Sequence, residues 1–222
     1  MTNPPPFSPL PQIAAAMLVP VVVIDDARRA APLGRALVDG GVDVIEVTLR
    51  TEAAVDAIGH LAETGDVMVG AGTVLTGTQV DEAVSAGAKF VISPGFSAEV
   101  SERCLIRDVS YLPGAVTATE IQNAIKQGHT ALKFFPAEAA GGAAALRALT
   151  APFQSTRFIP TGGITPANLG EYLSIDAVAA VGGTWIAAPE TVAAGEFRRI
   201  QELAAEGVAI ARRFRPERVM TE

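Results

Sequence analysis

Short runs of β-branched and aromatic residues alternate along the chain with longer, alanine-rich segments that have helical periodicity. The apolar runs are, in order, LVPVVVI, VDVIEVTLR, VMVGAGTV, AKFVISPG, SYLPGAV, ALKFFPA, RFIPTGGI and AVAAVGGTW. Gly, Pro, Thr or Ser occurs in the second half of most of these runs, and the last run leads to a helix predicted around residues 196–213. This alternation predicts parallel βαβ units, and eight of them fit a (β/α)8 TIM barrel of about 200–250 residues. A doubly wound open sheet is the structural alternative.

No break in composition marks a second domain, so we expect a single (β/α)8 domain over residues 1–222. Residues 1–16 form a short N-terminal segment, 17–190 the barrel core, and 191–222 a C-terminal helix and tail. Glycines at the ends of several predicted helices are typical of C-caps; they are Gly41, Gly65, Gly87 and Gly128. In such a barrel the active site lies at the carboxyl ends of the strands.

Lys133 stands inside one of the apolar runs, where a lysine is rarely buried without a partner or a function. Strand alternation puts Ala131, Lys133 and Phe135 on one face, with Leu132 and Phe134 on the other. The large apolar pair suits the helix layer, so Lys133 is predicted to point into the barrel. It is either a structural lysine paired with a buried carboxylate or a Schiff-base nucleophile. The second role requires the unprotonated amine, which an apolar enclosure favours.

The second run places an acidic and a basic side chain, Glu46 and Arg50, on one face. In VDVIEVTLR, alternation puts Glu46 and Arg50 opposite the apolar Ile45 and Val47, so Glu46 is predicted to point inward. Glu46 is then either a plain partner for Lys133 or the general acid/base that carbanion chemistry requires. Arg50, at the upper rim, is either solvated or a clamp for a carboxylate.

Three strand ends are rich in glycine and threonine. In GAGTV, Thr73 shares a face with Ala71 and the two glycines leave room for a ligand, although Gly-x-Gly alone more often marks packing or a bend. The ends of strands 7 and 8 match the place where many barrels hold a phosphate, which backbone N–H groups would bind. The alternative is that these glycines only make tight turns. The candidate phosphate residues are Gly162, Gly163, Gly182, Gly183 and Thr184.

Composition and charge exclude several classes of protein. The net charge of −7 disfavours nucleic acid and anionic membranes as partners, and the run from Ile13 to Ile24 is too short to span a bilayer. A single cysteine, Cys104, allows no internal disulfide and suits a reducing cytoplasm. The two histidines, His60 and His129, lie away from the predicted catalytic rim, so we expect no metal. No nucleotide-binding glycine motif occurs, and we expect no cofactor.

Seven motifs together carry a family resemblance: EVTLRTEAAVDAI, VGAGTVL, ISPG, LPGAVTATE, LKFFPAE, PTGGITPAN and VGGTW. They resemble, in order and with compatible spacing, the 2-keto-3-deoxy-6-phosphogluconate (KDPG) aldolases of the Entner–Doudoroff pathway. That family often also cleaves 4-hydroxy-2-oxoglutarate (KHG). The resemblance implies a metal-independent class I aldolase on a (β/α)8 barrel, a homotrimer acting on a small 2-oxo acid.

The resemblance also implies a role for each matching residue. Lys133 would be the Schiff-base lysine and Glu46 the proton shuttle. Arg50 and Thr73 would hold the pyruvyl carboxylate. The remaining pocket residues would be Pro94 and Phe135, which shape the pocket, Thr161 beside the sugar hydroxyls, and Gly162, Gly163, Gly183 and Thr184 at the phosphate.

Some questions stay open at this point. Relatives often carry a basic residue just after strand 1, where this chain has Asp25 and Asp26, so any help from that strand in anion binding is in doubt. KDPG, 2-keto-3-deoxy-6-phosphogalactonate (KDPGal) and KHG all remain possible substrates. A barrel that binds pyridoxal phosphate and a non-catalytic phosphosugar-binding protein are the alternative functions.

Overall fold

A computed structural model of the protein describes residues 8–215; the proline-rich residues 1–7 and the tail 216–222, named in the predicted terminal segments, lie outside that range. Each predicted apolar run contains one strand. The strands are β1 (Leu18–Val22), β2 (Val44–Thr48), β3 (Met68–Gly72), β4 (Phe90–Ile92), β5 (Ser110–Leu112), β6 (Ala131–Phe134), β7 (Arg157–Pro160) and β8 (Val181–Gly183).

The helices are α1 (Leu10–Ala16), α2 (Ala30–Asp39), α3 (Ala54–Thr64), α4 (Gly77–Ser85), α5 (Ala98–Ile106), α6 (Ala118–Lys126), α7 (Gly142–Thr150), α8 (Leu169–Leu173), α9 (Pro189–Ala194) and α10 (Phe197–Phe214). From α2 onwards, a helix follows each strand as the alternation predicts. Two begin with capping boxes, Thr76 with Gln79 before α4 and Thr117 with Glu120 before α6. The four predicted C-cap glycines all have positive φ, between +72° and +108°.

Parallel pairing organises the strands into a curled sheet. Six strands lie in the order β5-β4-β3-β2-β1-β8, and β6 pairs with β7. Isolated parallel bridges join Gly114 to Lys133, Phe158 to Val178 and Thr161 to Gly182. A doubly wound sheet reverses its strand order at a switch point, whereas here consecutive strands run one way and the last pairs with the first. The fold is therefore α/β with a curled parallel sheet, and the doubly wound alternative is wrong.

Two apolar clusters pack against the two faces of this sheet. The larger fills the layer between the strands and the helices and includes Ile45, Val47, Leu132 and Phe134. A smaller cluster occupies the other face and groups Val44 and Ile159 with Ile13 and Ala16 of α1. The polar side chains of the site lie on that inner face. No helix within residues 8–215 is long and apolar enough to cross a membrane.

The N-terminal segment contains a helix that the apolar pattern did not reveal. Residues 10–16 form α1, with Pro11 in its first turn, where proline needs no hydrogen-bond donor. Ile13 is fully buried in the inner cluster. The helix thus covers one end of the inner core, which leaves the carboxyl ends of the strands for ligands.

Candidate active site

Lys133 lies on β6 with its side chain on the inner face, as predicted. Leu132 and Phe134 point into the helix layer, and only 6% of Lys133 is exposed to solvent. Its Nζ donates hydrogen bonds to both carboxylate oxygens of Glu46, at 2.8 Å and 3.1 Å. The Phe135 ring lies beside the amine, with its centroid 5.4 Å from Nζ. The amine is therefore buried, paired and flanked by an aromatic face.

Glu46 comes from β2 and is only 1% exposed. The absence of a side chain at Gly72 on β3 makes room for it, because a Cβ there would lie 2.1 Å from Glu46 Oε1. A Cβ at Gly70 would likewise lie 2.1 Å from the Phe90 ring. The expectation that both glycines leave room for a ligand is wrong, since the protein's own side chains fill that space. Gly72 instead sets the position of the carboxylate.

Thr73 follows β3 directly and has a left-handed backbone, with φ +58°. This conformation is unusual for a β-branched residue, and such strained positions concentrate at functional sites. The strain is a second reason, independent of the sequence motif, to place Thr73 in the site. Arg50 is exposed two residues beyond β2, at the rim where it was predicted. Pro94 is exposed two residues beyond β4.

The glycines after β7 and β8 differ from one another. Gly162 and Gly163 have left-handed backbones, with φ +105° and +78°, and form the turn that leads towards α8. Gly182 is buried within β8, and a Cβ there would lie 2.1 Å from Thr161 Oγ1. Gly182 therefore leaves no room for a side chain beside Thr161, and its role as a phosphate ligand stays a prediction.

Thr161, Gly183 and Thr184 lie at or beside this packing contact. Thr161 is 4% exposed and bridges to β8. Gly183 is buried, and a Cβ there would lie 2.7 Å from Trp185 Nε1. Thr184 is exposed with an ordinary backbone conformation, φ −86°. Of these three, Thr184 offers its side chain to solvent and can be changed without backbone strain.

The other reactive side chains lie away from the paired amine and carboxylate. Burial in α5 raises the pKa of the Cys104 thiol to about 12, which disfavours the thiolate that a cysteine nucleophile requires. His129 precedes β6, where its Nε2 lies 2.8 Å from Ser101 Oγ, and burial lowers its pKa. His60 on α3 has Nδ1 2.9 Å from the Ala27 carbonyl oxygen. Among residues 8–215 no three His, Cys, Asp or Glu side chains are grouped to hold a metal.

Of the two acidic residues after β1, Asp26 makes local contacts. The Arg28 guanidinium donates a hydrogen bond from Nη2 to Oδ2 of Asp26, at 2.8 Å. The hydrogen bonding of this side chain is the main cause that lowers the pKa of Asp26 to about 2. Asp26 also caps the short 3₁₀ turn Ala27–Arg29. Its charge is thereby partly neutralised by its own loop.

Comparison with known proteins agrees with the motifs and the geometry. The family model described as KDPG and KHG aldolase matches residues 11–203. The 2-dehydro-3-deoxy-phosphogluconate aldolase of Pseudoalteromonas atlantica is 46% identical over 193 residues, which cover 86% of this chain and 90% of that protein. The chain belongs to the KDPG and KHG aldolase family. It is therefore a lyase of the aldolase type.

Solved structures of other family members have the same fold. A KDPG aldolase from Legionella pneumophila, with pyruvate captured as a covalent carbinolamine intermediate, has a TM-score of 0.86 and 40% identity; the match covers 90% of this aldolase and 97% of that chain. A structure named as native KDPGal has a TM-score of 0.80 and 28% identity, over 89% of this chain and 95% of that one. The sequence identity of this aldolase is thus higher to the Pseudoalteromonas and Legionella proteins, which are named for phosphogluconate, than to the protein named KDPGal.

Proposed function

We propose that the protein is a class I aldolase that cleaves KDPG to pyruvate and glyceraldehyde 3-phosphate. It would also cleave KHG to pyruvate and glyoxylate. The observation that carries this proposal is the buried hydrogen-bonded pair of Lys133 and Glu46 on the inner face of the sheet. An amine in direct contact with a carboxylate can pass its proton to that carboxylate, which leaves the neutral nucleophile that Schiff-base chemistry requires.

The chemistry would then proceed on Lys133. Nζ adds to the C2 carbonyl to form a carbinolamine. Glu46 returns the proton that it took from the amine to the departing hydroxyl, so water leaves, an iminium that withdraws electrons forms, and Glu46 is again a carboxylate. Glu46 accepts the proton of the C4 hydroxyl, the C3–C4 bond breaks, and its electron pair forms the enamine. The aldehyde leaves. Protonation of the enamine at C3 and hydrolysis release pyruvate and restore the lysine.

The rest of the site would orient the substrate. In this proposal Arg50 and Thr73 bind the pyruvyl carboxylate, because a guanidinium is well suited to that group. Phe135 and Pro94 shape the pocket and Thr161 lies near the sugar hydroxyls. Gly162, Gly163, Gly183 and Thr184 meet the phosphate, with Gly182 supporting them through Thr161.

A coupled assay for pyruvate release with KDPG, KDPGal and KHG tests the proposal directly. We expect KDPG to be the best of the three, since the relatives named for phosphogluconate have the higher sequence identity. Preference for KDPGal would instead favour that activity. Absorbance of bound pyridoxal phosphate in the purified protein, or phosphosugar binding without pyruvate release, would favour the other alternative functions.

The phosphate end can be tested without straining the backbone. Thr184→Glu places a carboxylate beside the proposed phosphate site, and we expect kcat/KM for KDPG to fall at least about tenfold through like-charge repulsion. Thr184→Gln, which has the same shape without the charge, should lose much less. KHG has no phosphate, so its kcat/KM should change little in either variant. Equal losses on both substrates would place the phosphate elsewhere.

We also propose a closed eight-stranded barrel in a single domain over residues 1–222. The isolated bridges of Lys133 to Gly114 and of Thr161 to Gly182 support closure, because they link the β6–β7 pair to both edges of the six-stranded sheet.

We further propose that the protein is a homotrimer in the cytoplasm. Leu105 and Ile106, 59% and 62% exposed at the end of α5, are candidates for burial between subunits. Light scattering should give three times the mass of one chain.

A further inference from the structure

Glu138, the last residue of the LKFFPAE motif, contacts the turn that follows β7. Its backbone N–H donates to the Gly162 carbonyl at 3.0 Å, and the preceding Ala137 N–H donates to the Thr161 carbonyl at 2.8 Å. A Cβ on Gly163 would lie only 2.7 Å from Cβ and Cγ of Glu138. The glycine turn therefore rests directly on the Glu138 side chain.

Tyr172 fixes that side chain from α8. The tyrosine is fully buried, and its hydroxyl donates a hydrogen bond to Oε1 of Glu138. Burial and the neighbouring carboxylate raise the pKa of Tyr172, so the hydroxyl keeps its proton and remains a donor. The same Oε1 lies 3.4 Å from the position a Cβ on Gly142 would take, at the start of α7. Glu138, in the β6–α7 loop, thus contacts the β7–α8 turn through its backbone N–H and its Cβ and Cγ, and α8 through its carboxylate.

The contacts of Glu138 connect the segment that carries Lys133 with the proposed phosphate-binding turn at Gly162 and Gly163. Glu138 is five residues beyond Lys133 on the same β6 segment, and it supports Gly162 and Gly163 in the next loop. From this arrangement we infer that Glu138 and Tyr172 are positioning residues, which hold the Gly162–Gly163 turn where it can bind the substrate phosphate. The inference rests on the proposed function, and it adds two residues to which the sequence analysis gave no role.

A positioning role has a different consequence from a purely structural one. The substrate phosphate is remote from the C3–C4 bond, and its binding energy serves to place the reacting atoms. If the turn moves, KDPG should lose that energy, whereas KHG, with no phosphate, should not. A general loss of stability would lower cleavage of both substrates together.

The experiment compares kcat and KM for KDPG and KHG in four variants of the full chain. Tyr172→Phe removes only the hydroxyl, and Glu138→Ala removes the side chain on which Gly163 rests. Both should raise KM for KDPG, with kcat/KM falling about tenfold, while KHG kinetics stay within about twofold of wild type. Glu138→Gln keeps an acceptor for Tyr172 and should retain the wild-type ratio of kcat/KM values.

Tyr111→Phe is the matched control, because Tyr111 is the other tyrosine of the chain and its buried hydroxyl bonds to Ser93 instead. It should leave the ratio of kcat/KM values for the two substrates unchanged. Parallel losses on KDPG and KHG in Tyr172→Phe, or no loss on either, would overturn the inference while leaving the aldolase proposal intact. A wild-type protein that cleaves neither substrate would overturn both.

Discussion

Replacing Lys133 with methionine should abolish cleavage of KDPG and KHG and should also abolish covalent trapping of pyruvate. Methionine has nearly the same length and fits the apolar flank of Phe135, but it has no nucleophilic nitrogen. With wild-type protein, borohydride reduction in the presence of pyruvate should add one pyruvyl group, found by peptide mapping on Lys133. The sequence has only two other lysines, Lys89 and Lys126.

These two lysines provide the control. Both are exposed, Lys89 just before β4 and Lys126 at the end of α6. Lys89→Met and Lys126→Met should each retain activity and trapping. Labelling of either residue in place of Lys133, or pyruvate release by the Lys133→Met protein, would reject the assignment.

The same substitution should reduce stability, because the catalytic and structural interpretations of Lys133 do not exclude one another. Removing the amine leaves the Glu46 carboxylate buried without its partner, and breaking such a pair typically costs about 3–5 kcal/mol. Adding Glu46→Gln removes the stranded charge and should recover part of that loss. Urea unfolding of the single and double variants measures this, and a folded but inactive double variant separates lost chemistry from lost structure.

Strand periodicity was enough to predict the inner positions of the catalytic candidates. A period of two residues places Glu46 on β2 and Lys133 on β6 on the inner face, and the structure confirms both. Their 2.8 Å contact, between residues 87 apart in sequence, depends on how the sheet curls and could not be predicted from periodicity. Their inward positions made a pairing one of the alternatives, and the resemblance added the expectation that the two residues work together in catalysis.

The contacts of glycine and of loop residues were much harder to predict. A glycine in a sequence shows that a side chain is absent but does not show what occupies the space. The space beside Gly72 was therefore expected to be open to a ligand, although Glu46 occupies it, and the packing of Gly182 on Thr161 could not be predicted. The Glu138–Tyr172 hydrogen bond joins the β6–α7 loop to helix α8, two segments with no shared periodicity, so only the three-dimensional structure reveals it.

Replacing Glu46 with glutamine should slow cleavage of both substrates more than it slows Schiff-base formation, because solvent can still accept the proton of the lysine amine. The amide preserves the shape that fits against Gly72 and can still bond to Lys133, but it cannot accept the C4 hydroxyl proton. Loss of a general acid/base typically costs about 10²–10⁴-fold in rate. Single-turnover kinetics should therefore show a large fall in the cleavage step, with the borohydride-trapped adduct still found on Lys133.

Gly72→Ala tests the role of Glu46 as general base independently, because it moves the carboxylate without removing it. A Cβ there would lie 2.1 Å from Glu46 Oε1, so the carboxylate must shift away while its chemistry is retained. Because general-base catalysis requires hydrogen-bond contact with the proton being removed, this displacement should also slow cleavage more than it reduces trapping. A Glu46→Gln protein that cleaves KDPG at nearly the wild-type rate would show that another group or solvent moves the proton. Glu46 would then be only the structural partner of the lysine.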